Sequence, residues 1–122
     1  MRICKDCFLD EELRSEINAN AVIDGICDVC GKRSKVMDFS EFYGFFTTLL
    51  ELYSPTGNSN KTIVDIIQDE WHFFKDKDVA MVLLADVIRA NNLGYSIADF
   101  VSYPNVWIKS VIRTKIKSKL FL

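Results

Sequence analysis

All four cysteines of the chain fall in its first thirty residues, as Cys4-Lys5-Asp6-Cys7 and Cys27-Asp28-Val29-Cys30. Nineteen residues separate the two Cys-x-x-Cys pairs, within the roughly 15–20 residue spacing of a paired-knuckle metal site. A Cys-x-x-Cys turn sets two thiolates on one side of a tight bend. Two such turns facing each other build the tetrahedral sulfur cage that Zn²⁺ prefers, with Zn–S distances of about 2.3 Å. Gly31 directly after the second pair supports this, since a residue free to take φ > 0 lets the chain fold back around the ion. Four protein ligands leave no position for water or substrate, so the sequence predicts one structural Zn²⁺ held by Cys4, Cys7, Cys27 and Cys30.

Other uses of the cysteines fit less of the pattern. Two disulfides suit a small secreted protein, whereas Met1-Arg2-Ile3-Cys4 lacks the apolar run of a signal peptide. A redox Cys-x-x-Cys explains one pair and leaves the other idle. A single iron in the same cage satisfies the same rules of ligand softness and geometry.

A chain of 122 residues is the size of one ordinary domain and can bury a core. Hydrophobic residues at 49% and charged residues at 26% point away from disorder. No apolar run approaches the length of a membrane span, and the expected location is the reducing cytoplasm. The net charge of −2 gives no global pull toward nucleic acid. Its distribution is uneven: residues 107–122 hold five Lys/Arg and no acid, while residues 38–106 hold four basic and ten acidic residues.

The sequence predicts a mainly α architecture: a zinc knuckle pair with short strands over 1–37, then an α-helical bundle over 38–122, the two forming one compact unit. Between the knuckles, Asp10 to Ile17 reads as a short helix with acids in its first turn, where the helix dipole favours them, and with Phe8, Leu13 and Ile17 buried. Ala21–Ile23 and Lys35–Met37 lean toward strand. From Asp38 the apolar spacing becomes helical. Asp38 and Glu41 fit a capping box opening a helix whose buried positions are Phe39, Phe42, Phe46, Leu49, Leu50 and Tyr53, and Pro55 with Gly57 ends it. A second helix is expected over Lys61–Phe74. A third, capped by Asp76 or Asp78 and running to about Asn91 or Asn92, is apolar on every face at Val79–Ala85, which predicts a central position. Asp86 and Arg89 are placed to pair on its polar edge. Leu93-Gly94 suits its stop. The last helix opens near Pro104, with Trp107, Ile108, Val111, Ile112, Ile116 and Leu120 on one side and Lys109, Arg113 and Lys117 on the other.

Signals for catalysis are sparse. His72, the single histidine, lies in an aromatic run and suits a half-buried packing role better than a base. Asp65, Asp69 and Glu70 offer a divalent-ion or acid–base site, with a solvated helix face as the plainer reading. No phosphate loop, nucleophile elbow or His-Glu-x-x-His accompanies them. The Lys109/Arg113/Lys117 face could touch phosphates in a weak, salt-sensitive manner; its apolar side could equally dock on a protein.

Residues Ile3-Cys4-Lys5-Asp6-Cys7-Phe8-Leu9-Asp10-Glu11-Glu12-Leu13, Cys27-Asp28-Val29-Cys30-Gly31 and Val36-Met37-Asp38-Phe39-Ser40-Glu41-Phe42 resemble the HEPN-like amino-terminal domain attached to bacterial RES proteins. Ile66-Ile67-Gln68-Asp69-Glu70-Trp71-His72-Phe73-Phe74 is similar to that domain's aspartate–acid–tryptophan segment. The resemblance spans most of the chain. RES proteins are toxins of toxin–antitoxin systems that degrade NAD⁺, and the resemblance implies the accessory domain standing without the catalytic one; none of the NAD⁺-degrading residues carries over. HEPN ribonucleases use an arginine four to six residues from a histidine, and before His72 no arginine lies closer than Arg33. The expected function is therefore non-enzymatic: recognition or regulation of a protein partner in a bacterial or phage conflict system, the partner being a RES-type toxin domain, a second copy, or a phage component. The alternatives are a nucleic-acid-binding zinc protein using the basic C-terminal face, and a divergent HEPN ribonuclease built around His72 and Asp69.

Overall fold

In the computed structural model, residues 1–55, 62–91 and the short strand 107–109 are described. The chain opens with strand β1 (Arg2–Ile3), a 3-10 turn (Lys5–Cys7) and helix α1 (Glu11–Asn20). Strands β2 (Ile23–Ile26) and β3 (Arg33–Asp38) follow, then a second 3-10 turn (Phe39–Phe42) and helix α2 (Tyr43–Leu50). Strand β4 (Tyr53–Pro55), helices α3 (Ile63–Trp71) and α4 (Lys77–Asn91), and strand β5 (Trp107–Lys109) complete the described elements. The first three strands make an antiparallel sheet in the order β1-β3-β2, with Ile3 opposite Met37 and Ile23 opposite Val36. Strands β4 and β5 form a separate antiparallel pair.

Local chemistry sets the helix starts. Asp10 caps α1 by accepting from the backbone N–H groups of Glu12 and Leu13, satisfying donors that the helix itself leaves open. Leu13 and Ile17 are then buried, together with Phe8. The carboxylate of Asp76 accepts from the Val79 N–H at 2.9 Å and starts α4. Helix α3 opens on a capping box: the Thr62 hydroxyl accepts from the Asp65 N–H and the Asp65 carboxylate accepts from the Thr62 N–H. Asp65 also pairs with Lys77 at 2.8 Å. The Lys77 hydrogen bond, with the Thr62 amide behind it, holds the Asp65 carboxyl below its ordinary value despite partial burial.

A carboxylate whose folded pKa is depressed adds stability above its unfolded value and loses it as pH falls through the folded one. Asp65→Asn is therefore expected to lower stability at pH 7 by about 1 kcal/mol, the worth of a cap. The gap between the two proteins should begin to narrow as pH falls below about 4 and close as it passes through the lowered folded value. Denaturant melts of both proteins at pH 7 and pH 3 check this.

Several expectations are corrected. Asp38 accepts from the Ser40 N–H and caps a 3-10 turn, so the α-helix begins at Tyr43. That helix stops at Leu50, ahead of Pro55, and Tyr53 lies in β4. Its buried positions are otherwise as expected: Phe39, Phe42, Phe46, Leu49, Leu50 and Tyr53 all lie in the core. Helix α3 ends at Trp71, three residues short of Phe74. His72 takes a left-handed conformation, φ 53°, and turns the chain out of the helix. The Gln68 side-chain amide then satisfies both backbone groups of Phe74, donating to its carbonyl at 2.7 Å and accepting from its N–H. A β-branched or other L-residue pays for the left-handed region, by roughly 1–2 kcal/mol. His72 is exposed, so His72→Gly should raise stability by about 0.5–1 kcal/mol after the glycine's extra unfolded-state entropy, read as a higher thermal midpoint.

Helix α4 is apolar all round in sequence but not buried all round. Val79, Ala80, Leu83, Leu84, Val87 and Ile88 face the core, while Met81 and Val82 are 40% and 45% exposed. Asp86, expected beside Arg89, accepts a 2.6 Å hydrogen bond from the Tyr43 hydroxyl of α2. That bond, with partial burial, pushes the phenol up to about 12. Trp107–Lys109, expected in the final helix, form β5 with Lys109 opposite Tyr53 and Trp107 opposite Pro55; tryptophan and isoleucine suit a strand as well as a helix. The stop at Leu93-Gly94 and the rest of the last helix, including Arg113 and Lys117, lie outside the described residues.

The core is aromatic. Phe46 lies within 6.1 Å, centroid to centroid, of Phe39, Phe45, Phe73 and Phe74. Trp71 stacks on Phe73 at 5.3 Å and donates its indole N–H to the Tyr53 hydroxyl at 2.8 Å. Offset and edge-on pairs of this kind add about 0.5–1.5 kcal/mol each beyond the area they bury.

Candidate metal centre

The first cysteine turn follows β1 directly. Its 3-10 geometry is closed by the Cys7 N–H donating to the Cys4 carbonyl at 3.2 Å, which puts both thiols on one side of the bend. The second turn joins β2 to β3. The Cys27 N–H donates to the Lys32 carbonyl and the Gly31 N–H to the Cys27 carbonyl, both at 2.9 Å. Gly31 sits at φ 77°, a conformation that L side chains avoid, and the need is conformational because a Cβ there would meet nothing within 4 Å. The sequence expectation for this residue holds.

The sheet brings the turns together. The Arg2 N–H donates to the Asp28 carboxylate at 2.7 Å, and the Asp28 N–H donates back to the Arg2 carbonyl at 2.9 Å. Asp6 of the first turn binds Lys32 beyond the second at 3.2 Å and also meets Arg14 of α1 at 3.6 Å. The Lys32 hydrogen bond holds the Asp6 carboxyl below its ordinary value. Arg14 further donates to the carbonyls of Lys5 and Phe8, at 3.1 and 3.0 Å. This clamp of Asp6, Arg14 and Lys32 is not evident in the sequence, because its members are 8 and 18 residues apart and nothing in their spacing marks them.

All four sulfurs lie within 4.8 Å of one another. Cys4 meets Cys30 and Cys7 meets Cys27, each at 3.4 Å. A disulfide needs about 2.05 Å, and the four thiols are free. Four sulfurs set about 2.3 Å from a central ion would stand about 3.8 Å apart in a tetrahedron, so the cluster has the size of a metal cage. Among the described residues it is the one group of histidine, cysteine or carboxylate donors close enough to hold an ion.

Burial shapes the thiol chemistry. Cys4, Cys7 and Cys27 are shielded from solvent and Cys30 is partly exposed. Desolvation, with the Cys30 contact, pushes Cys4 up to about 11. Cys7 is raised further by deeper burial. Burial acts on Cys27 in the same direction, but the Cys30 and Val29 amides aimed at its sulfur outweigh it and bring it down to about 7. Three buried thiols packed this closely resist ionising together without a cation between them, a charge that a soft divalent ion would supply.

The remaining sequence candidates are dispersed. His72 ends α3, far in the chain from the cysteines. Asp65 is partly buried and engaged by Thr62 and Lys77, a capping and ion-pairing use that neither reading of the Asp65/Asp69/Glu70 face foresaw. Lys109 is in β5, and Arg113 and Lys117 lie beyond the described residues. Among the described residues no helix is long and apolar enough to cross a membrane. No protein-family model, curated protein or solved structure matches the chain.

Proposed function

We propose that this protein is a zinc-stabilised, non-enzymatic recognition module. One structural Zn²⁺ held by Cys4, Cys7, Cys27 and Cys30 fixes the small sheet, and the sheet and helices together present a surface to a protein partner. The observation that carries the metal part is the convergence of four free sulfurs, from two turns far apart in sequence, at the spacing of a tetrahedral cage. With four donors the ion is saturated, so its role is to hold the fold.

Two features support a protein partner over nucleic acid. Three of the basic side chains near the knuckles are paired with acids, Lys32 and Arg14 with Asp6 and Lys35 with Asp24. The exposed apolar residues Val22, Ile23 and Ile26 gather on and beside one strand. The resemblance to the HEPN-like amino-terminal domain of RES proteins supports reading such a module as part of a cytoplasmic toxin–antitoxin or anti-phage system, with a RES-type toxin domain, a second copy or a phage component as its proposed partner.

Cobalt replacement tests the metal assignment. Co²⁺-loaded protein should show the intense sulfur-to-cobalt charge-transfer absorption of a tetrahedral four-thiolate site, bleached by stoichiometric Zn²⁺. Octahedral cobalt spectra, or none, would count against it. The rival partner class is tested in parallel: RNA or DNA binding that persists at about 200 mM salt, where phosphate-driven association has largely gone, would favour nucleic acid.

A further inference from the structure

Among the described residues strand β2 is an edge of the three-stranded sheet, paired with β3 on one side only. Its open backbone edge is a template for another strand. Val22, Ile23 and Ile26 along it are 74%, 64% and 52% exposed. Beside the start of β2 lies a groove of about 520 Å³ between α1, β3 and the 3-10 turn that follows. Its floor is apolar, from Val36, Met37 and Phe42, and its rim carries the carboxylates of Glu16, Asp38 and Glu41. Ion pairs between described residues engage Asp6, Asp24 and Asp65 and leave the Glu16 and Glu41 charges uncompensated. Asp38 is held ionised by the Ser40 amide, with Arg2 acting more weakly.

We propose that this groove and the open edge of β2 together dock an extended segment of a partner protein that alternates aliphatic with lysine or arginine residues. Added antiparallel to β2, such a segment satisfies the free backbone groups. Its aliphatic side chains cover Val22, Ile23 and Met37, and its cations sit among Glu16, Asp38 and Glu41. An acidic rim around an apolar floor selects for a basic amphipathic strand and repels nucleic acid. This rests on the reading of the protein as a recognition module and names the surface that would do the recognising.

The test is fluorescence anisotropy on the zinc-loaded 122-residue chain with a labelled Lys-Val-Lys-Val-Lys-Val peptide, compared with Glu-Val-Glu-Val-Glu-Val. The basic peptide should bind, more weakly as salt rises, and the acidic one should not. Glu16→Lys with Glu41→Lys should weaken binding at least tenfold. Both side chains are exposed, so the fold should tolerate the change, and Glu16→Gln with Glu41→Gln should give a smaller loss in the same direction. Methylating alternate backbone amides of the peptide should abolish binding if the edge of β2 is used. Equal affinity for the two peptides, or indifference to every variant, would overturn the proposal. So would a dimer broken by Ile23→Lys without peptide binding, which would assign the face to a second copy. Zinc content measured in the same samples separates the two claims: a zinc-loaded protein that ignores both peptides sinks this surface and leaves the metal centre standing.

Discussion

Cys7→Ser should remove the metal and unfold the first 37 residues. Cys7 is fully buried, its sulfur is 3.4 Å from that of Cys27, and its carbonyl accepts from the Lys75 N–H at 2.9 Å. Serine offers a hard, weakly acidic oxygen in place of a thiolate. Structural zinc contributes about 10–16 kcal/mol in small four-ligand domains, comparable with the whole stability of a typical domain. The sheet that carries the cysteine turns has strands of 2, 4 and 6 residues, too little to persist alone. Hydrogen exchange reads the result directly. The Cys27 and Gly31 amides, bonded to Lys32 and Cys27 carbonyls, should lose protection first and most. Because the ligands bind as thiolates, acid should mimic the substitution, with zinc released as pH falls and protons compete for the sulfurs. Retention of wild-type protection in Cys7→Ser would sink the structural role.

Phe8→Ala should be the most damaging substitution outside the cysteines, because Phe8 joins the metal centre to the helices. It directly follows a cysteine, is fully buried, and has ring contacts with Phe74 at 5.6 Å and Phe42 at 6.2 Å. Its backbone bridges to Phe74 as well, and the neighbouring Leu9 N–H donates to the Phe73 carbonyl at 2.8 Å. Truncating a buried phenylalanine costs about 3–5 kcal/mol, which corresponds to a thermal midpoint lowered by about 10–20 °C for a domain of this size. Loss of the ring should also loosen the turn that carries Cys4 and Cys7, so zinc affinity should fall together with stability. Phe45→Ala is a useful contrast: Phe45 is only partly buried against the core and should cost less while leaving zinc affinity unchanged. A Phe8→Ala protein with normal zinc affinity would show that the knuckles and the bundle are energetically independent.

The convergence of the four cysteines was legible because each Cys-x-x-Cys turn is local, although the sheet and the Asp6 ion pairs are what bring the two turns together. The starts of α1 and α4 were legible for the same reason, since Asp10 and Asp76 each act within three residues of themselves, whereas the helix expected from Asp38 begins at Tyr43. The ends were not. In the run Trp71-His72-Phe73-Phe74 the apolar spacing continues a helix, and the chain leaves it only because Gln68 takes over the backbone of Phe74 and Phe8 pairs with it from the other end of the molecule. Strands β1, β4 and β5, of two and three residues, owe their form to partners far away in sequence. Helix α4 shows the limit of hydrophobicity as a guide to burial: seven consecutive apolar residues predicted a central helix, yet Met81 and Val82 stand at the surface. The core packs against one side of α4 through Val79, Ala80, Leu83, Leu84, Val87 and Ile88, and apolar atoms on the other side are tolerated at the surface as they are in most proteins.

The charge pattern was legible in outline and not in its use. Read along the chain, Asp6, Arg14 and Lys32 are unremarkable members of a balanced segment; in space they tie both cysteine turns to α1. Asp65, read as one of three acids on a helix face, is spent on capping α3 and holding Lys77. Asp65 thereby moves from candidate chemistry to architecture.

The most direct test of this account is native mass spectrometry of the protein purified from cells without added metal. The account predicts one zinc ion per chain, absent from Cys7→Ser. A folded, metal-free chain, or one whose mass shows two disulfides, would contradict it.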